Sequence, residues 1–164
     1  MSETTISIEP AATADDLAAA RRLFLDYASS LGFSLCFQDF DAELEGLPGK
    51  YAPDRQGALL LAKLDGRAVG VVGLRDLGCA EDGRRICEMK RLYVDPAGRG
   101  LQLGRRLAEA ILAEGRRLGY RAMRLDTLKR MVAANRLYDA LGFYDIPAYC
   151  ENPMPDVRYR EVIL

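Results

Sequence analysis

The sequence contains no histidine and no tryptophan. Without histidine, Ser-His and Cys-His nucleophilic mechanisms are excluded, and so are most zinc sites. Acid–base chemistry falls to Glu, Asp, Tyr, Lys or Cys, and no metal is expected. No apolar run approaches the roughly 20 residues of a membrane span. The N-terminus carries no export signal, and Ile6-Ser7-Ile8-Glu9 reads there as a strand. The four cysteines, Cys36, Cys79, Cys87 and Cys150, form no CxxC pair and read as reduced thiols of a cytoplasmic protein. Charge of neither sign dominates. The formal net charge is −1, which argues against bulk binding to nucleic acid or anionic membranes. No GxxxxGK[ST] is present, so a Walker phosphate loop is excluded.

What is present is an ordinary globular composition, 164 residues with 49% hydrophobic, enough for one domain with a core. Thr13-Ala14-Asp15-Asp16 opens a helix with a capping box, and Gly32 closes it. A short acidic helix through Asp39, Asp41, Glu43 and Glu45 reads as a solvated face, or alternatively as a rim attracting a cationic acceptor. Apolar runs at Ala58–Lys63 and Ala68–Leu74 flank Asp65-Gly66, a hairpin signal. Gly70 and Gly73 mark bulges or close approach, and Gly78–Gly83 reads as a loop. A strand over Ile86–Val94, a helix ended by Gly119, a strand over Arg121–Thr127 and a helix over Met131–Leu141 follow. That last helix turns Ala134, Leu137 and Leu141 inward. Strands over Phe143–Ile146 and Val157–Leu164 complete a mixed α/β pattern, a largely antiparallel meander flanked by helices.

The centre of the pattern is the segment from Leu92 to Leu107: strand, glycine-rich loop, helix. Gly104, Leu107, Ala108, Ile111, Leu112, Gly115 and Leu118 share one helical face. A small-residue loop entering a helix presents unpaired backbone N–H groups and the positive end of the dipole, an anion site suited to phosphate. Arg99, Arg105 and Arg106 crowd that terminus, where cations oppose the dipole. A bound polyanion accounts for them; the alternative is a surface helix with incidental arginines. The glycine spacing Gly98-x-Gly100-x-x-x-Gly104 is one residue too long for a dinucleotide fingerprint, and Asp126 is poorly placed as its ribose partner.

Three segments together resemble the GNAT superfamily of N-acetyltransferases. Arg99-Gly100-Leu101-Gln102-Leu103-Gly104 is similar to its Arg/Gln-x-x-Gly-x-Gly/Ala motif, with Gln102 where the middle glycine is usual. Ala134 to Phe143 resembles its Ala-x-x-Leu-Tyr-x-x-x-Gly-Phe segment, and Cys87 to Val94 its preceding strand. The family often carries Asn seven residues before the tyrosine; here that position is Met131, and Asn135 lies one turn before Tyr138. The tail Tyr149–Pro153 resembles a bacterial branch of mostly unassigned substrate.

The resemblance implies one N-acetyltransferase domain over residues 1–164, with a twisted sheet of about six or seven strands and about four helices. It implies acetyl-CoA as co-substrate, a small-molecule or peptide amine as acceptor, and often a homodimer. The pyrophosphate would lie on Gly100, Leu101, Gln102, Leu103, Gly104 and Arg105, with Arg99 adding charge and Asn135 in the same binding set. Leu92 and Val94 would pair with the pantetheine arm, and a gap to the next strand would admit the thioester. Tyr138 matches the family's proton donor to the leaving thiolate; its alternative is a packed aromatic with its hydroxyl bound elsewhere. Glu88, six residues before Val94, matches a family general base for an amine with pKa near about 10.4; its alternative is a strand glutamate in an ion pair. Cys87 points to the opposite face and reads as a buried small hydrophobe, so attack is direct. A non-catalytic acyl-CoA sensor or interaction module of the same fold is the competing function. Acceptor choice would lie with Phe33–Tyr51, Asp76–Arg85 and Tyr149–Asp156, and the acidic helix hints at a cationic acceptor.

Overall fold

The computed structural model describes residues 3–35 and 39–164. Cys36 lies outside them, and Cys79, Cys87 and Cys150 are free thiols. The elements are β1 (Ile6–Pro10), α1 (Ala14–Leu31), α2 (Phe40–Glu45), β2 (Ala58–Leu64), β3 (Arg67–Cys79) and β4 (Arg85–Val94). They continue with α3 (Leu103–Arg117), β5 (Ala122–Leu128), α4 (Val132–Ala140), β6 (Tyr144–Ile146) and β7 (Val157–Ile163). Among the described residues the strands form one seven-stranded sheet in the order β1-β2-β3-β4-β5-β7-β6. Every neighbouring pair is antiparallel except β4 with β5, which is parallel.

Helices cover both faces of the sheet, which explains why β2 is a continuous apolar run rather than an alternating one. Ala58, Leu60 and Ala62 enter a core beneath α3 and α4, with Val72, Met89, Leu107, Ile111, Met123 and Leu125. Leu59 and Leu61 enter a second core beneath α1 and α2, with Leu23, Phe24, Phe40, Tyr51 and Val71. α1 begins with the expected capping box: Thr13 Oγ1 accepts from Asp16 N at 3.1 Å, and the Asp16 carboxylate accepts from Thr13 N. α3 buries Leu107, Ala108, Ile111, Leu112 and Gly115 as its periodicity predicts, and Leu103 joins them. Gly73 is a close approach. A Cβ there would stand 2.7 Å from the Tyr51 ring, which occupies the missing side chain's place.

Several boundaries differ from expectation. β3 runs on to Cys79, so the predicted loop from Gly78 is partly strand and the β3–β4 turn is shorter. In α4, Asn135 and Tyr138 are the buried residues; Ala134, Leu137 and Leu141 pack at the edge of the core. The acidic helix is solvated at Asp41 and Glu45, but Glu43 is 5% exposed, because Arg91 and Lys50 draw its carboxylate inward. No helix among the described residues is long and apolar enough to cross a membrane.

Candidate active site

β4 and β5 pair only from Ile86–Glu88 to Ala122–Arg124. Beyond that, β4 stays with β3 as far as Val94, and β5 stays with β7 as far as Leu128. The two strands therefore separate, and a cleft opens between Met89–Leu92 and Leu125–Leu128, with Tyr27 and Tyr138 also in its wall. A bulge in β4 accompanies the separation. Its register against β3 shifts between Val71 and Gly73, and Arg91 adopts φ 60°. A left-handed conformation costs a residue with a side chain about 1–3 kcal/mol and persists where its surroundings over-determine it. Here Arg91 Nε and Nη2 donate to the two Glu43 carboxylate oxygens at 2.9 and 3.1 Å, and the guanidinium lies 5.1 Å from the Phe40 ring centre.

β4 leads into the glycine-rich loop. Asp95 Oδ1 accepts from Ala97 N at 2.8 Å and starts a short 3₁₀ turn, Pro96–Gly98. Gly100 takes φ 82° and Gln102 φ 56°. Gln102 thus holds the left-handed shape that the usual glycine would take freely. It caps α3 without a side-chain hydrogen bond. Among the described residues, the N–H groups from Gly100 to Arg105 donate to no protein acceptor. Six consecutive donors at the positive end of a 15-residue helix form an anion cradle. A Cβ on Gly104 would meet only Val94 Cγ2, at 4.0 Å. No neighbour in the protein therefore requires glycine there, and the space it leaves open suits a ligand. Arg99, Arg105 and Arg106 are exposed around the cradle, and Arg105 pairs with Glu109 at 2.7 Å. Leu101 is exposed, whereas Leu103 is turned into the core.

Tyr138 is 7% exposed, its ring 5.5 Å from that of Phe143. Burial, with Tyr27 and Asp126 nearby, pushes its hydroxyl well above the ordinary tyrosine range, so it stays protonated. Among the described residues that hydroxyl makes no hydrogen bond. Glu88 is 1% exposed. Its Oε1 accepts from Arg75 Nε at 2.7 Å and lies 3.7 Å from Lys90 Nζ, and its Oε2 accepts from the Tyr149 hydroxyl at 2.5 Å. Burial alone would raise its pKa, but the Lys90 and Arg75 charges outweigh burial and hold it below the usual value. Cys87 lies on the other face, its Sγ 3.6 Å from the Ala122 carbonyl oxygen, and burial pushes its thiol up to about 12.

The model of the acetyltransferase (GNAT) family matches residues 17–143. The chain belongs to that family. It is 39% identical over 163 residues to an uncharacterized N-acetyltransferase of Schizosaccharomyces pombe, covering 99% of this chain and 97% of that one. The likeness is therefore not confined to bacteria. A GNAT acetyltransferase from Staphylococcus aureus shares the fold with a TM-score of 0.75 at 19% identity, over 97% of this chain and 99% of that one. An acetyltransferase from Salmonella typhimurium, solved with its cofactor acetyl-CoA, shares it at 0.71 and 22% identity, over 96% and 93%.

Within this GNAT fold the expected residues fall into two groups. Leu92 and Tyr138 line the cleft, and Val94 backs the loop whose amides run from Gly100 to Arg105. Asn135 stands apart. Its amide nitrogen donates to the Leu128 and Met131 carbonyls at 2.9 Å, and its oxygen accepts from Arg158 at 3.1 Å, so the side chain ties β5 to α4. Arg75 and Arg91 were not anticipated at the site; Glu43 and Tyr149 fall in segments expected to set the acceptor, but their pairing with Arg91 and Glu88 was not anticipated. Arg75 is the direct cross-strand partner of Glu88, a relation visible only once β3 is known to pass Leu74. Tyr149 reaches Glu88 across 61 residues of chain, and no local pattern encodes that.

Proposed function

We propose that this chain is an acetyl-CoA-dependent N-acetyltransferase that moves the acetyl group to a primary amine by direct attack in a ternary complex. It acts as one domain over residues 1–164, in a reducing cytoplasm suited to its free thiols. The observation that carries the reading is the row of unpartnered amides from Gly100 to Arg105, which follows directly from the strand walling the cleft. Those amides, with Arg99 and Arg105, suit the pyrophosphate of CoA. The β4 edge at Leu92, in the cleft wall, suits the pantetheine arm, and a backbone N–H near Leu92 suits the developing oxyanion.

The chemistry then falls to Tyr138 in the cleft wall and to the buried Glu88, one residue before the β4 segment that walls the cleft. The amine nitrogen bonds to the thioester carbonyl carbon, and the carbon–sulfur bond breaks. Tyr138 gives its proton to the departing sulfur; its raised pKa keeps that proton in place until then. Glu88 is ionised and takes up the proton the amine sheds, directly or through water. Arg75 and Lys90 hold it in that state and also weaken it as a base, so Tyr138 is the stronger assignment. Thiols at about 12 for Cys87 and about 11 for Cys150 are poor nucleophiles at neutral pH, which favours direct attack over an acyl-enzyme.

The test is a melting curve with acetyl-CoA, CoA and NADH in parallel. Ligand at about 100 times its Kd adds about 2.7 kcal/mol of stability. Acetyl-CoA and CoA raise the melting temperature and NADH does not. Gly104→Glu, whose Cβ meets only Val94 Cγ2 at 4.0 Å, sets a carboxylate against the pyrophosphate and removes the shift. A wild type that saturating CoA leaves unshifted refutes the proposal; binding without turnover of any amine moves the reading to a sensor.

A further inference from the structure

The cleft between β4 and β5 has walls from both faces of the sheet. On one face stand Leu92, Leu125, Ala134 and Tyr138, which belong to the core beneath α3 and α4 or pack against it. The anion cradle opens α3, so this mouth faces CoA on the reading above. On the other face stand Tyr27, Leu31, Phe33 and Leu35, from α1 and the chain after it, which belong to the second core or pack against it. Side chains alternate along a strand. Met123 and Leu125 of β5 face the first core, so Asp126 faces the second mouth. Asn152, in the chain between β6 and β7, also lines the cleft, and its Nδ2 donates to Asp126 Oδ2 at 3.0 Å.

Three charged residues line the cleft: Lys90, Arg91 and Asp126. Both cations are buried against carboxylates, Lys90 3.7 Å from Glu88 and Arg91 2.9 Å from Glu43. Arg130, 5.6 Å from the Phe33 ring centre, pairs with Asp156 at 3.5 Å. Glu88 already accepts from Arg75 and Tyr149. Asp126 differs from all of these. Among the described residues it forms no salt bridge, and its Oδ1 accepts no hydrogen bond. That oxygen is not sealed in the protein, so it opens into the cleft. The Tyr27 hydroxyl likewise bonds no protein group among the described residues and is not sealed. Both groups lie close enough to the Tyr138 hydroxyl to help raise its pKa, which places them beside the reacting centre.

A carboxylate without a cation, beside a hydroxyl without a partner and next to apolar side chains, is complementary to one ammonium on an apolar body. An alkyl amine with a pKa near about 10.4 arrives as its ammonium. Its N–H groups can donate to Asp126 Oδ1 and to the Tyr27 hydroxyl oxygen, and the first of these bonds joins two charges. Leu31 and Phe33 then take apolar surface out of water. A second ammonium on the same molecule finds no second open carboxylate among the described lining residues, and sugar hydroxyls would lose water against Leu31 and Phe33. α1, β5 and the chain carrying Asn152 bound this mouth on three sides, which suits a small molecule. Resting on the acetyltransferase reading above, we propose that the acceptor is a small primary monoamine with an apolar body, its ammonium held by Asp126 and Tyr27.

The experiment measures CoA release with a thiol reagent. The acceptors are phenethylamine, hexylamine, spermidine, glucosamine and a leucyl tripeptide amide. Phenethylamine or hexylamine is acetylated with kcat/KM about tenfold or more above each of the other three. Asp126→Asn keeps the side chain's shape and an oxygen for Asn152, and the acetyl-CoA melting shift is retained. In this variant the KM for the better monoamine rises by about tenfold or more. Tyr27→Phe, a second variant that removes only a hydroxyl, raises the same KM by about fivefold or more and also keeps the shift. If acetyl-CoA binds but spermidine, glucosamine or the peptide is preferred, or none of the panel turns over, this inference is overturned and the CoA reading stands. If Asp126→Asn lowers kcat with KM unchanged, the carboxylate acts on the proton rather than holding the ammonium, and the inference is overturned. Unchanged KM in both variants overturns it as well. Failure of acetyl-CoA to bind removes both.

Discussion

A tyrosine hydroxyl that opens into a cleft and hydrogen-bonds no protein group is left to solvent or to a ligand. Tyr138 stands in the cleft wall with no such bond among the described residues, while the other polar side chain buried on the same helix, Asn135, has its amide fully engaged. On the proposed mechanism, that contrast within α4 assigns Tyr138 to chemistry and Asn135 to structure. Tyr138→Phe keeps the ring and its packing on Phe143 and removes only the proton. Steady-state assay of this variant gives a kcat lower by about a hundredfold or more, with the acetyl-CoA melting shift unchanged. Glu88→Gln in the same assay lowers kcat and leaves the same shift. A Tyr138→Phe enzyme as fast as the wild type would assign the hydroxyl no part in turnover.

At the scale of elements, α2 explains the shape of β4. This six-residue helix contributes Phe40 and Leu44 to the core and sends Glu43 to the Arg91 guanidinium. The pair fastens α2 to the one residue of β4 in a left-handed conformation, so the bulge and the helix stand or fall together. Burial works to raise the Glu43 pKa, but the hydrogen bond and charge of Arg91, with those of Lys50, overcome it and hold the carboxyl at about 2. A folded pKa below the ordinary 4.5 means stability that is complete above that pH and is lost as pH falls toward about 2. The shift corresponds to about 3 kcal/mol. Glu43→Gln removes the carboxylate against which Arg91 is buried, and urea unfolding at neutral pH shows a loss of about 3–5 kcal/mol. The variant's stability also falls less steeply than the wild type's between pH 4.5 and 2. Parallel acid limbs in the two proteins would deny Glu43 this role.

Over the whole molecule, what was legible in the sequence is what local pattern encodes. α3 shows its buried face at helical spacing, the capping box announces α1, and Asp65-Gly66 turns the β2–β3 hairpin. The loop from Gly100 to Arg105 was legible for the same reason, because its donors belong to consecutive residues. Glu43 was misread because a carboxylate on a polar helix looks solvated until the strand carrying Arg91 is brought against it. The groups around Glu88 come from β3, β4 and the loop before β7, and only the assembled sheet joins them. The same division predicts how the molecule responds to its ligand. Amides inside the β2–β3 and β5–β7 ladders are already hydrogen-bonded, whereas those from Gly100 to Arg105 are not. In hydrogen–deuterium exchange the free protein exchanges rapidly at Gly100–Arg105, and CoA slows exchange there and along Arg91–Val94. β1, β6 and the β3–β4 turn lie away from the cradle and stay as they were. Uniform slowing across the sheet would instead indicate global stabilisation without a localised site. Slowing confined to the second core, under α1 and α2, would place the ligand somewhere other than the helix N-terminus.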